Sequence, residues 1–238
     1  MKRIAIVPAF DEEGAIGGVI EEIRAFDPSF DVVVVNDASR DATAAVARRH
    51  GARVITLPFN LGIGGAVQTG FRYADTHGYE LAARIDGDGQ HDPRELRPLI
   101  DAVLAGRADI CVGSRFVEAA EGFRSSRSRR VGIRILAGTV TLLTRQRVTD
   151  TTSGFQVLNR RAIELFSADY PHDYPEVEAA LMLHKHRLRL VEVSVRMRER
   201  AAGRSSIRGL RTVYYMAKVM VAILIGALRR RATPLEDA

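Results

Sequence analysis

Val32-Val33-Val34-Val35 restricts the fold more than any other stretch of the chain. Successive β-branched residues favour a strand, and with no polar residue among them both faces must be buried. Such a strand belongs inside a sheet covered by helices on either side. The flanking sequence supplies the other elements. Ile4 to Val7 is a short apolar strand. Ala15 to Ala25 has Ile16, Val19, Ile20 and Ile23 on one helical face. After the valines, Ala42 to His50 forms a helix stopped by Gly51, and Arg53 to Leu57 a third strand. The β-α-β-α-β pattern predicts an α/β fold with a mostly parallel central sheet and helices on both faces.

In such sheets ligands bind outside the carboxyl ends of the strands. Three polar loops fall on that edge: Pro8 to Glu12, Asn36 to Asp41, and Asp86 to His91. The third follows the apolar run Leu81 to Ile85, and Pro93 begins the next helix, to Ala105. In an extended loop Asp86 and Asp88 point to the same side, with Gln90 beside them. Two carboxylates and an amide oxygen are hard ligands suited to Mg²⁺ or Mn²⁺, ions that also accept phosphate oxygens from a substrate. An acid-Gly-acid turn is also common in plain loops, so the agreement of the three loops matters more than any one. In the second loop Asp41 reads as a helix cap. Asp37, directly at a strand end, is the better ligand, able to accept hydrogen bonds from a base or ribose.

Asn60 to Gly65 is glycine-rich and leads into a helix from Ala66 to His77, where backbone N–H groups could approach an anion. It lacks the Lys-Ser/Thr of a P-loop. Val67 stands where the third glycine of Gly-x-Gly-x-x-Gly would be, which argues against a nicotinamide-dinucleotide oxidoreductase. Asp109 to Gly113 reads as a strand, Glu118 to Ser128 as a polar loop, and Arg134 to Thr144 as a helix. Thr149 to Gln156 is a polar stretch at an element boundary. Arg160 to Phe166 and Pro175 to His186 read as helices, and Leu190 to Val195 alternates like a half-buried strand. Glu176 and Glu178 fit ordinary first-turn acids. His184 and His186 face different sides of a helix and make no metal pair. Val213 to Leu228 is apolar apart from Lys218 and falls short of a span of about 20 residues. It suits a helix on a membrane surface, against a partner or in a homo-oligomer.

The 238-residue chain is 46% hydrophobic, enough for a full core. Its single cysteine, Cys111, excludes an internal disulfide and fits a reducing, cytoplasmic setting. Met1-Lys2-Arg3 runs straight into a strand, so no secretory leader is expected. The net charge of +6 concentrates in the second half, around Arg124 to Arg134, Arg196 to Arg211 and Arg229 to Arg231. That field suits phosphate-rich partners, a nucleotide, nucleic acid or an anionic membrane, although any single arginine reads as a solvated surface residue.

These motifs together resemble the family 2 glycosyltransferases of the GT-A fold, nearest to the dolichol- or polyprenyl-phosphate sugar synthases. The resemblance runs from Ile4 to Ile207. Pro8-Ala9-Phe10-Asp11-Glu12 is similar to the family's Pro-x-Tyr/Phe-Asn-Glu. Asn36-Asp37-Ala38-Ser39-Arg40-Asp41-Ala42-Thr43 is similar to Asp-Asp-Gly-Ser-x-Asp-x-Thr, and Asp86-Gly87-Asp88-Gly89-Gln90-His91 to Asp-Ala-Asp-x-Gln-His. Gly113-Ser114-Arg115 and Asp150 to Phe155 resemble later signatures of that branch. Asp11 replaces the usual Asn, and Gly87 the common Ala. The chain has no tryptophan, hence no Gln-x-x-Arg-Trp of processive synthases, which argues for a single transfer.

The resemblance implies a GT-A domain at 1–208 and a C-terminal helix with a basic tail at 209–238. It implies that Pro8, Ala9, Glu12 and Asp37 cradle the nucleotide, and that Asp86, Asp88 and Gln90 hold Mg²⁺ or Mn²⁺ at the donor diphosphate. Arg115, an arginine near Arg127 and Arg200 would hold phosphates of donor or acceptor. The implied reaction is inverting transfer of a sugar from a GDP- or UDP-sugar to a lipid phosphate, at the cytoplasmic face of the membrane or beside a small membrane-protein partner. A hydroxyl acceptor, as in surface-polysaccharide synthesis, would need a general base, for which Asp150 or Glu176 is the candidate. A lipid phosphate is already an anion and needs cations instead. Two other classes remain in view. A sugar-1-phosphate nucleotidyltransferase would need a basic N-terminal loop where Pro8 to Gly14 is acidic. A non-catalytic basic module binding membrane or nucleic acid would explain the arginines but not the aligned acidic loops, so no nucleic-acid partner is expected.

Overall fold

The computed structural model describes residues 1–115, 137–144, 146, 148–150, 153–171 and 175–198. In chain order the elements are β1 (Arg3–Ala9), α1 (Ile16–Phe26), β2 (Phe30–Asn36), α2 (Thr43–Arg49), β3 (Arg53–Thr56) and α3 (Gly62–Thr76). Then come β4 (Leu81–Arg84), a 3-10 turn (Pro93–Glu95), α4 (Leu96–Leu104), β5 (Ile110–Ser114) and a helical segment at 137–144. β6 (Gln156–Asn159), α5 (Arg160–Ala168), α6 (Pro175–Lys185) and β7 (Leu190–Ser194) complete the described part.

The strands form one sheet in the order β3-β2-β1-β4-β6-β5-β7. From β1 the chain winds outward through β2 and β3, then returns to place β4 on the other side of β1, parallel to it. The order therefore reverses between β1 and β4, the kind of crevice where α/β sheets bind ligands. β6 is antiparallel to both its neighbours, β4 and β5, while β7 is parallel to β5. The mostly parallel sheet expected from the sequence is thus present, with one antiparallel strand that the sequence did not announce.

Alternation along the strands divides the core in two. Ala5, Val7 and Ala9 of β1 pack on one face with Ile16, Ile20 and Ile23 of α1 and with Leu99 and Val103 of α4. Ile4 and Ile6 point to the other face, toward Val67 and Phe71 of α3 and Phe166 of α5. There Phe71, Phe166 and Tyr170 pack as an aromatic trio with centroids 5.0–5.5 Å apart. Cys111 is fully buried in the first layer, and burial pushes its thiol up to about 12.

Helix α3 begins at Gly62, four residues before the expected Ala66. Of the glycines that read as loop, Gly62 starts the helix at a positive φ of 76° and Gly65 lies inside it because close packing requires it. A Cβ on Gly65 would stand 2.5 Å from that of Leu61, and one on Gly70 would collide with Ile6 of β1. Side chains also close the helix start: Leu61 N–H donates to Asp37 Oδ1 (2.7 Å) and Gly62 N–H to Asn60 Oδ1 (3.0 Å). Those two N–H groups are therefore taken and do not face an anion. Among the described residues no helix is long and apolar enough to cross a membrane. The Glu118–Ser128 loop, the basic loop from Arg200 and the Val213–Leu228 segment lie outside the described residues.

Candidate active site

The three acidic loops meet at one edge of the sheet, as their places at strand ends require. Ala9 ends β1 and its carbonyl accepts the N–H of Asp37 (2.9 Å), at the end of β2. The carbonyl of Pro8 accepts from Gly87 (3.2 Å), in the loop after β4. A side chain at position 87 has little room: a Cβ would lie 3.1 Å from that carbonyl and 3.2 Å from Ala9 Cβ. Glu12 opens α1, its carbonyl accepting from Ala15 and Ile16. Asp41 receives Thr43 N–H (2.9 Å) and Glu13 N–H (3.0 Å), while the helix cap is Ala42, one residue after the expected position. Burial alone would raise the Asp41 pKa, but these bonds outweigh it and the carboxyl lies below the usual range.

Asp11 and Ala38 both hold positive φ, 54° and 59°. Asp tolerates this conformation about as well as Asn does, and Asp11 uses it to accept Arg40 N–H (2.7 Å). Its replacement of the family's Asn is thereby accounted for. Ala38, standing where the signature has Gly, gains no such bond from its side chain. Ala38→Gly is expected to stabilise the protein by about 0.5–1 kcal/mol, the left-handed strain relieved less the entropy glycine adds to the unfolded chain. A urea midpoint at or below the wild type's would contradict this.

After β4 the chain turns through Asp86 to Asp92. Asp88 is 4% exposed and accepts Gln90 N–H through Oδ1 (3.0 Å). Asp86 is a third exposed, yet its Oδ1 is buried and accepts no hydrogen bond among the described residues. The nearest cation to that oxygen is Arg84 Nη2, at 3.7 Å. Gln90 donates its amide N–H to Arg198 carbonyl oxygen (3.4 Å) and accepts Arg198 N–H on its own carbonyl (2.9 Å). The described residues hold no cluster of three acidic, His or Cys ligands. Two carboxylates with an underused oxygen nevertheless fit an ion that completes its shell with water and substrate phosphate.

His91, which closes the motif, and Arg84, which no motif singled out, shape this loop. His91 is buried, and its Nδ1 accepts Asp86 N–H (3.0 Å), so the proton of the neutral ring sits on Nε2, which lies 3.9 Å from Asp86 Oδ2. Burial pushes its pKa down against the pull of Asp86 and Asp88. Its ring packs on Phe155, centroids 4.8 Å apart. Arg84 is fully buried and donates to Tyr170 Oη (3.2 Å). Gly154 lets the chain pass over both groups: a Cβ there would sit 2.8 Å from Arg84 Nη2 and 2.9 Å from Asp86 Oδ2. The end of the loop is anchored by Asp92, which Arg94 and Arg198 hold far below the usual carboxylate range.

Arg115 stands at the end of β5. Its Nε and Nη2 donate to Asp150 Oδ2 (2.8 Å) and Oδ1 (3.0 Å), and Asp150 is closed to solvent. The structure thus brings together Pro8, Ala9, Glu12, Asp37, Asp86, Asp88 and Gln90 at one edge, with Arg115 and Asp150 joined two strands beyond β4. Arg127 and Arg200 lie outside the described residues, as does the side chain of Glu176.

Residues 4–166 match the family described as glycosyl transferase family 2. An undecaprenyl-phosphate mannosyltransferase of Micrococcus luteus is 29% identical over 88% of this chain and 88% of its own. A polyprenol monophosphomannose synthase of Mycolicibacterium smegmatis is 28% identical over 96% of this chain and 89% of its own. Among solved structures, glucosyl-3-phosphoglycerate synthase from Mycobacterium tuberculosis, in complex with Mn²⁺, UDP and glucosyl-3-phosphoglycerate, superposes with a TM-score of 0.66. That match covers 95% of this chain and 79% of the other at 22% identity, a likeness of fold. With most of the chain within its match, the protein is a glycosyltransferase and belongs to glycosyl transferase family 2.

Proposed function

We propose that the protein transfers one sugar from a GDP- or UDP-sugar to a polyprenyl-phosphate-type lipid, with inversion at the anomeric carbon. The Arg115–Asp150 pair is the observation that carries the acceptor class. A hydroxyl acceptor needs a base, and of the two sequence candidates Asp150 has both oxygens on a guanidinium and no solvent access, while the Glu176 side chain lies outside the described residues. A carboxylate so held is a poor proton acceptor. A phosphate acceptor needs no proton removed, only cations to hold it. Arg115 takes that role here, together with Arg127 and Arg200. The relatives' names, which specify polyprenyl-phosphate chemistry, support the same acceptor class.

Pro8, Ala9, Glu12 and Asp37 would receive the nucleoside, in the crevice where the strand order reverses. Asp37 keeps acceptor capacity beyond the bond from Leu61. Asp86, Asp88 and Gln90 would hold Mg²⁺ or Mn²⁺. A divalent cation there supplies positive charge to the departing nucleoside diphosphate. Gln90 and Asp88 are fixed by backbone bonds, so the ligand oxygens need little rearrangement on binding. Displacement on one face of the sugar by the lipid phosphate, with departure from the other, inverts the anomeric centre. The segment 209–238 is assigned to the cytoplasmic membrane surface, a small membrane protein or a second copy, outside the catalytic domain at 1–208.

Thermal shift with GDP-mannose, UDP-glucose and UDP-N-acetylglucosamine, each with and without Mn²⁺, tests the donor side. One donor is expected to stabilise the protein only with metal, by about 2.7 kcal/mol at a hundredfold excess over Kd. Transfer of that sugar to undecaprenyl phosphate in detergent micelles tests the acceptor. No metal-dependent stabilisation by any nucleotide sugar would oppose the proposal.

A further inference from the structure

Glu192 lies on β7, where the alternating sequence reads as an ordinary half-buried strand. Its carboxylate closes on the chain rather than on solvent. Oε1 accepts the N–H groups of Thr149 (2.9 Å) and Asp150 (3.0 Å). Oε2 accepts Thr149 N–H (2.8 Å) and Thr149 Oγ1 (2.5 Å). Because that hydroxyl donates to Glu192, its oxygen is left to accept from Ser114 Oγ (2.9 Å), next to Arg115. Beyond Glu192, Ser153 and Gln156 line a small cavity of about 20 Å³ with Ala179, Ala180 and Leu183 of α6.

The bonds form a continuous chain from Glu192, through the backbone of Thr149 and Asp150, to the Asp150 carboxylate and the Arg115 guanidinium. It costs free energy to keep a second acid here. Burial raises the Glu192 pKa, the Thr149 and Asp150 bonds oppose that rise, and the Asp150 charge adds to it. A glutamine would not serve, since its amide nitrogen would face an N–H donor. Apolar replacement would leave buried N–H groups unpaired. The requirement is for an acceptor with two equivalent oxygens, able to fix a two-residue segment in one orientation.

We propose that Glu192 is a positioning residue for sugar transfer, acting through Asp150 to set the Arg115 guanidinium at the carboxyl edge of β5. This rests on the assignment of Arg115 to the acceptor phosphate. The test uses the full chain with Mn²⁺, the nucleotide sugar selected by thermal shift, and undecaprenyl phosphate in micelles. Glu192→Gln is expected to lower kcat/KM for undecaprenyl phosphate about 10–100-fold, the scale of a small misplacement, while nucleotide-sugar binding is unchanged. In an Arg115→Lys background, which loses the forked pair, the same change should cost little more.

If Glu192→Gln fails to fold by circular dichroism, Glu192→Asp carries the same comparison, because it keeps two equivalent oxygens but draws them back by one methylene from the Thr149 and Asp150 N–H donors. Equal losses in both backgrounds, or a parallel loss of nucleotide-sugar binding, would make the role structural and overturn the proposal. Full turnover by Arg115→Lys and Arg115→Ala would instead remove the acceptor assignment on which it rests.

Discussion

Asp88→Ala should lower kcat/KM about 10³-fold and abolish the metal-dependent stabilisation by nucleotide sugar. The figure follows from the several kcal/mol that metal charge contributes to a transition state, at about 1.4 kcal/mol per tenfold. Asp88 is nearly closed to solvent and has a second duty, accepting Gln90 N–H. Asp88→Asn separates the two. The amide retains an oxygen for Gln90 but no charge, so the loop should keep its shape while turnover falls as far as in the alanine variant. Kinetics and thermal shift on both variants decide the matter. Turnover of Asp88→Asn within tenfold of wild type would mean that charge at this position is not what the reaction needs.

Phe155→Ala is expected to destabilise the protein by about 3–5 kcal/mol, the usual cost of removing a buried aromatic ring. For a chain of this length that corresponds to a fall in Tm of about 6–20 °C. The ring is fully buried, with the His91 ring tilted against it at 33° and Gly113 beside it. A Cβ on Gly113 would come within 2.7 Å of it, so the glycine and the ring occupy one space. Loss of the ring also removes the support of His91, whose Nδ1 holds the Asp86 backbone. Activity should therefore vanish at a lower temperature than global unfolding, which parallel assays of turnover and ellipticity would detect. Coincident loss of the two would place Phe155 in the general core alone.

The sequence and the structure agree best where a strand ends in an acid. Asp37 and Asp86 could be placed at a common edge because apolar runs stop at them and the β-α alternation orients every such end alike. β6 was not recognisable, since Gln156-Val157-Leu158-Asn159 has only two apolar residues and its partners β4 and β5 are distant in sequence. Arg84 reads as a charge closing an apolar run. Its burial beside Tyr170 depends on contacts across 86 residues. Asp150 reads as a candidate base for the same reason, as nothing local reveals Arg115 as its partner 35 residues earlier. Gly65 reads as loop because its purpose is close contact with Leu61, which spacing alone does not show.

The antiparallel strand β6 also acts as a ruler. By lying between β4 and β5 it separates the Asp86–Asp88 loop from Arg115 by two inter-strand steps, about 9–10 Å. Because β6 runs opposite to its neighbours, its entry segment, Ser153 to Phe155, lies along the floor of that interval. Removing the strand would bring the acidic loop and the guanidinium side by side. With it in place, the strand-end carboxylates and the Arg115 guanidinium stand two strands apart, so the sheet itself fixes the spacing between a pair of acids and a cation.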